Sequence, residues 1–362
     1  MKKHDILVPL FSTFDKDGGV DYETFEKLAD YVLSKGADGL YVGGSSAECF
    51  SLTQEERKEY LEHAIKVAKK YDAYVVAHVG AIGTGIACDL ARHAKSAGAD
   101  AIASVPPFYH GFQPGEIKKY YTDLADASDL PVIVYNVPGT TGVGLSLNMF
   151  KDILSDKRIV AVKYTDVNYY TLDRIKKHTG AYIYSGADEC FAYALMAGAD
   201  GAIGTSCNYA IDKFIAIRKA FLAGDIATAQ AEQGKINNCV QAIIETRGLP
   251  AMKYMTTVAT GIDVGCCRAP FRELTADEKA LLEKTAAEKP AKQAGPVKAK
   301  PVPEPSKPKT KTKAKTKAKT ESAVPEELSS PAAVKLPTER RYKRPERKPM
   351  SALDEIAPAL PE

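Results

Sequence analysis

No stretch of this chain approaches the ~18 consecutive apolar residues that a membrane-spanning helix needs, so no span is expected. The charged opening, Met1-Lys2-Lys3-His4-Asp5, leads into an apolar run too short for a signal peptide. Seven cysteines (Cys49, Cys88, Cys190, Cys207, Cys239, Cys266 and Cys267) contain no Cys-x-x-Cys pair. Their scatter among apolar residues excludes a secreted disulfide framework and suits a reducing, cytoplasmic setting. Also missing are a nucleotide-binding loop, a paired-histidine metal site and the residue order of a Ser/His/Asp hydrolase. Neither a phosphate nor a metal is demanded.

The formal charge of +3 hides an asymmetry. Residues 1–288 carry a net −6, and those from Lys289 onward a net +9 with 13 of the 21 prolines. That tail holds almost no large apolar residues before Met350, so it is expected to stay disordered. Its run Lys309–Lys319 alternates lysine with threonine or alanine. Such a run suits weak contact with a polyanion, or simply a solvated extension; without aromatics it is not built for base stacking. The segment 350–357 reads as a short helix for a partner.

One phrase recurs. Gly-Ala-Asp stands at 36–38, 98–100 and 198–200, each time after a helix-like stretch and before a short apolar run. Glycine ends a helix in a left-handed turn and the chain then enters a buried strand, the joint of an α/β protein. Further strands are predicted at 7–10, 74–78, 132–135, 159–163 and 182–184. Helices fit at 21–35, 53–70, 84–97, 114–127, 146–154, 168–178, 188–197 and 211–223. Thr53 and Glu56 form a capping box for the second of these. Eight strand–helix units within about 225 residues match a (β/α)8 TIM barrel over 1–224. A doubly wound open sheet fits this regularity less well. Helices near 225–245, 250–260 and 276–288 are expected to pack on the outside, followed by the 289–362 tail.

Lys163 ends the predicted strand Ile159-Val160-Ala161-Val162-Lys163. Four apolar residues in a row read as a strand buried on both faces. An amine placed there is short of water, which favours the neutral form that attacks carbonyls. Active sites of such barrels gather at the carboxyl ends of the strands. Those ends read Gly43-Gly44-Ser45-Ser46-Ala47-Glu48, Pro106-Pro107-Phe108-Tyr109, Tyr135-Asn136-Val137-Pro138, Lys163-Tyr164-Thr165, Ser185-Gly186-Ala187-Asp188-Glu189 and Gly204-Thr205-Ser206. An amine, a phenol and a glycine-flanked pair of hydroxyls around one cavity suit a keto acid. The amine forms a Schiff base, the phenol moves protons, and the glycine-rich turn holds the carboxylate. By strand alternation Tyr164 points outward to the helices. His78 is a second base at a strand end, or a satisfied core histidine. Cys49, Cys190 and Cys207 lie near the expected mouth with nothing in sequence to activate them.

Gly-Gly-Ser-Ser-Ala-Glu at 43–48, Tyr-Asn-Val-Pro at 135–138 and Lys163 placed 28 residues after Tyr135 resemble the dihydrodipicolinate synthase/N-acetylneuraminate lyase family. The resemblance covers about residues 5–288 and implies a class I, pyruvate-handling aldolase without cofactor or metal. It implies Lys163 as the Schiff-base lysine, Tyr135 as proton shuttle with Ser45, and Ser45 and Ser46 on the pyruvate carboxylate. Tyr109 would reach into a neighbouring subunit of a homotetramer. Synthase members carry an arginine where this chain has Thr140, and a neutral hydroxyl makes no bidentate clamp. Gly186-Ala187-Asp188-Glu189 and Gly204-Thr205-Ser206-Cys207-Asn208 instead resemble the lyase branch, in which Thr165, Gly186, Asp188, Glu189 and Thr205 would line the sugar site. The expected reaction is reversible cleavage of N-acetylneuraminate to N-acetylmannosamine and pyruvate. The alternatives are 4-hydroxy-tetrahydrodipicolinate synthesis, or cleavage of another 2-keto-3-deoxy sugar acid. A rival of another class is a binding barrel tethered to a polyanion by its tail. Two departures stand out. Ala47 replaces a usual glycine, where a positive φ costs about 1–2 kcal/mol. Ala187 replaces a larger side chain of the sugar-binding turn.

Overall fold

The computed structural model describes residues 4–287; the basic run, the disorder and the short helix expected of the tail lie outside the described residues. Eight parallel strands pair in chain order: β1 (Leu7–Pro9), β2 (Gly39–Val42), β3 (Tyr74–His78), β4 (Ala101–Ser104), β5 (Val132–Asn136), β6 (Ile159–Tyr164), β7 (Tyr182–Ser185) and β8 (Gly201–Ala202). The last returns to the first, since Ile6 bridges to Ala202 and the Ala202 N–H donates to the Asp5 carbonyl at 2.8 Å. That return makes the sheet a (β/α)8 barrel and rules out the open alternative.

The helices are α1 (Tyr22–Ser34), α2 (Gln54–Ala68), α3 (Thr84–Ala97), α4 (Pro114–Ser128), α5 (Pro138–Thr141), α6 (Leu147–Ile153), α7 (Tyr169–Thr179), α8 (Phe191–Met196) and α9 (Cys207–Leu222). Then come α10 (Ile226–Glu245), α11 (Leu249–Thr260) and α12 (Ala276–Ala287), which share a small core of Ala242, Ile243, Ala251, Met255 and Leu282. The Thr53/Glu56 capping box opens α2 as expected. Three details differ from the sequence expectation. The helix expected at 188–197 opens with a 3-10 turn, Asp188–Cys190, before α8. The one expected at 211 begins at Cys207 and kinks at Ala210 (φ −132°). The single turn α5 has too little amphipathic pattern to be foreseen.

The Gly-Ala-Asp phrase turns out to be a strand clip. Its glycines stand at φ +97°, +97° and +102°, a region that costs a Cβ-bearing residue. Each following aspartate grips one residue of the preceding strand segment twice, donating its N–H to the carbonyl and accepting the N–H on its carboxylate. Asp38 does this to Ile6 (3.0 and 2.9 Å), Asp100 to Val75 (2.9 and 2.8 Å) and Asp200 to Ile183 (2.8 and 2.8 Å). These rings of two hydrogen bonds set the register at the amino ends of the strands, leaving the opposite ends free for chemistry.

Alternation along the strands then sorts the side chains. Val134, Val162 and Tyr164 enter the layer between strands and helices, whereas Ile133, Tyr135 and Ala161 face the barrel interior with Leu7, Tyr41, Val76, Ala103 and Tyr184. Lys163 keeps the parity of Ala161. It lies opposite Tyr135 on one side and Tyr184 on the other.

Candidate active site

Lys163 is 4% exposed, so the β6 position predicted from an apolar run does bury its amine. Two aromatic faces flank it. Its Nζ lies 4.0 Å from the centre of the Tyr135 ring and 4.5 Å from that of Tyr41. In a site with little water such faces favour a cation, which an iminium is. Tyr41 was missed in sequence, although β2 alternation aims it inward two residues before Gly43. Its ring is fully buried beneath Gly44, where an added Cβ would come within 2.6 Å of Cε1.

Above the amine, the turn after β2 folds as a 3-10 element, Ser45–Ala47. Ser45 Oγ reaches Tyr135 Oη at 3.4 Å, and Ser46 Oγ meets Thr205 Oγ1 at 2.7 Å. Next to Thr205, the Ser206 N–H donates to Asp188 Oδ2 at 2.7 Å. The turns after β2, β7 and β8 are therefore wired together around the strands that carry Tyr135 and Lys163. Ala47 does not take a positive φ and carries no such cost; the left-handed non-glycine residue of the turn is Glu48 (φ 54°), one position later.

Asp188 is buried, and burial, the largest influence, pushes its carboxyl up to about 6; the Ser206 hydrogen bond opposes the rise. Its Oδ1 has no hydrogen-bond partner among the described residues and sits against Gly204, where a Cβ would fall 1.8 Å from it. Glu189, its neighbour, stays partly exposed. Thr165 Oγ1 is likewise buried and unpartnered, and it fills the space where a Gly186 Cβ would lie, at 1.9 Å. Gly186 is thus glycine because Thr165 and Lys163 need the room.

His78 takes the core role. Its Nδ1–H donates to the Gly43 carbonyl at 2.8 Å and its Nε2 accepts the Val105 N–H at 3.4 Å. Burial first, and then the Arg57 charge, push it down to about 3, so it stands neutral with both nitrogens used. The thiols are quiet as well: burial pushes Cys49 up to about 11 and raises Cys190 and Cys207. Tyr109 stands apart on the loop after β4, 82% exposed and at φ +79°, its ring edge-on to His110. No cluster of His, Cys, Asp or Glu suited to a metal occurs among the described residues, and none of their helices is long and apolar enough to cross a membrane.

A cavity of about 930 Å³ opens elsewhere, on the outer helices between Tyr31, Tyr209, Lys213, Lys235 and Met255. It does not touch Lys163. The candidate site lies at the barrel mouth.

A sequence model of the dihydrodipicolinate synthetase family matches residues 2–289 of the chain. The N-acetylneuraminate lyase of Rhizobium meliloti (strain 1021) is 35% identical over 288 residues, 79% of this chain and 95% of that protein. A solved structure of a Clostridium difficile protein, CdNal, in complex with mannosamine superposes with a TM-score of 0.76 at 30% identity, covering 79% of this chain and 99% of that one. The Ruminococcus gnavus sialic acid aldolase, solved as a catalytic lysine mutant, gives a TM-score of 0.76 at 28% identity, over 79% and 95% of the two chains.

Proposed function

The chain belongs to the dihydrodipicolinate synthetase family, and from that premise we propose that this class I aldolase cleaves N-acetylneuraminate reversibly to N-acetylmannosamine and pyruvate. One observation carries the reading: a buried lysine amine between two tyrosine rings, beside a turn that presents two hydroxyls. Lys163 Nζ adds to the ketone of the open-chain sugar acid, and loss of water leaves an iminium. The C3–C4 bond breaks as the iminium takes up its electron pair and the C4 hydroxyl gives up its proton. Tyr135 relays that proton through the substrate carboxylate, helped by Ser45. Protonation of the enamine and hydrolysis release pyruvate and the free amine.

Ser45 and Ser46 hold the carboxylate in this reading. Glu189, Thr165, Gly186 and Thr205 border the polyol tail, while Asp188 holds the β7 and β8 turns together and offers its Oδ1. A synthase is disfavoured because Thr140, exposed on α5, supplies no cation for a second carboxylate. Tyr109 is the residue we assign to a neighbouring subunit of a homotetramer, and sedimentation velocity with a Tyr109→Ala variant tests that assignment.

The substrate is tested with a panel at equal concentration, following pyruvate release or consumption. Turnover of N-acetylneuraminate well above that of other 2-keto-3-deoxy sugar acids supports the proposal. Preferred condensation of pyruvate with aspartate semialdehyde overturns it.

A further inference from the structure

The turn that carries Ser45 and Ser46 is gripped by residues more than 200 positions away. Glu48, which ends it in the left-handed conformation, has its carboxylate 2.8 Å from Lys253 Nζ on α11, with both side chains 1% exposed. The other carboxylate oxygen accepts the Arg268 N–H at 2.8 Å. The Cys267 thiol, pushed up to about 12 chiefly by burial, faces the same group and stays protonated. Lys253 is itself held, donating to the Cys266 carbonyl at 2.6 Å and lying 4.5 Å over the Phe14 ring. Arg268 packs on Phe14 as well, at 4.4 Å, and forks onto Glu56 of the α2 capping box at 2.8 and 2.6 Å.

A buried ion pair is a poor source of stability, because desolvating two charges offsets most of their attraction, and well-packed apolar replacements are often no worse. What such a pair does supply is geometry. A non-glycine residue in the left-handed region persists only where its surroundings over-determine it. Here the surroundings are the C-terminal segment. Ser45 and Ser46 stand three and two positions before the pinned residue in the same turn, and in this pose their hydroxyls reach Tyr135 and Thr205.

We propose that the Glu48–Lys253 ion pair is a positioning device that seats the Ser45–Ser46 turn against the keto-acid carboxylate. Recognition of the carboxylate thereby depends on α11 and the segment that follows it. The inference rests on the reading that this turn binds the carboxylate. Neither residue touches the reacting atoms.

The test uses the full chain and borohydride trapping on Lys163, with pyruvate and with hydroxyacetone, a ketone lacking the carboxylate. In Glu48→Gln/Lys253→Met, which leaves no lone buried charge, the pyruvate concentration for half-maximal trapping should rise roughly tenfold or more, while hydroxyacetone trapping changes less than ~3-fold. If that variant does not fold, Glu48→Asp keeps both charges but shortens the arm, and the same loss of preference for pyruvate is expected. A folded variant that keeps the wild-type preference overturns the proposal and leaves the pair merely structural. A wild-type protein that traps both ketones equally well overturns the carboxylate reading itself.

Discussion

Asp188 offers a test of the site's electrostatics that needs no substrate. In the folded protein its carboxyl titrates at about 6, against an ordinary value of 3.8. Burial is the dominant cause, with the neighbouring Glu189 charge adding to it and the Ser206 N–H and Lys163 working the other way. The sign follows from linkage. A carboxyl that holds its proton more tightly when folded makes the folded state bind more protons between the two values, so stability falls as pH rises through that window. The penalty is absent below about pH 4 and complete above about pH 6; at ~1.4 kcal/mol per tenfold shift it amounts to about 3 kcal/mol. Asp188→Asn removes the titration while keeping an amide oxygen to accept from Ser206. Its fixed packing cost is the same at every pH, so the useful quantity is how the difference from wild type changes. Urea midpoints at half-unit steps from pH 4 to 7.5 should show the variant gaining about 3 kcal/mol on wild type across the window. A difference that stays flat would refute the burial argument and mean that water reaches Asp188 in the folded protein.

Gly186→Ala places a methyl 1.9 Å from Thr165 Oγ1 and 3.3 Å from Lys163 Cε, so pyruvate trapping should slow ~100-fold, whereas Gly139→Ala, with open space around it, should be silent. Tyr41→Leu removes one aromatic face from the amine and should slow trapping by about tenfold, while Tyr41→Phe keeps the face and should stay within ~3-fold of wild type. Equal effects of the two would shift the role from the ring to the hydroxyl. His78, pushed down to about 3, should show the nitrogen shifts of a neutral imidazole, protonated on Nδ1, at pH 5. An imidazolium signal at that pH would contradict its placement.

The barrel was legible because the features that specify it are local. Gly-Ala-Asp ends a helix, fixes a register and opens a strand within a few residues, so its three occurrences mark three joints directly. The apolar runs mark β3, β5, β6 and β7, and strand parity alone sends Lys163 inward and Tyr164 outward. Where local signal fails, the reading fails with it. The start of α9 is set by Ser206 and Cys207 folding over the β8 turn, and no periodicity announces that kinked first turn. The left-handed non-glycine residue of the Gly43–Glu48 turn is Glu48 and not Ala47, and the carboxylate of Glu48 has partners that no local window contains. Lys253 illustrates the limit best. In sequence it is one lysine among many in an amphipathic helix; only packing α11 against the β2 turn makes it a buried partner. Among the site residues, Lys163, Tyr135, Ser45, Ser46 and Thr205 are brought together within one chain, and Tyr109 is not.

The central claim is that Lys163 forms a Schiff base with a keto acid, and borohydride reduction in the presence of pyruvate tests it most directly. Intact and peptide mass should show one reduced pyruvyl adduct per chain, on the peptide containing Lys163, and Lys163→Arg should abolish it. No adduct, or one on another lysine, would contradict the account.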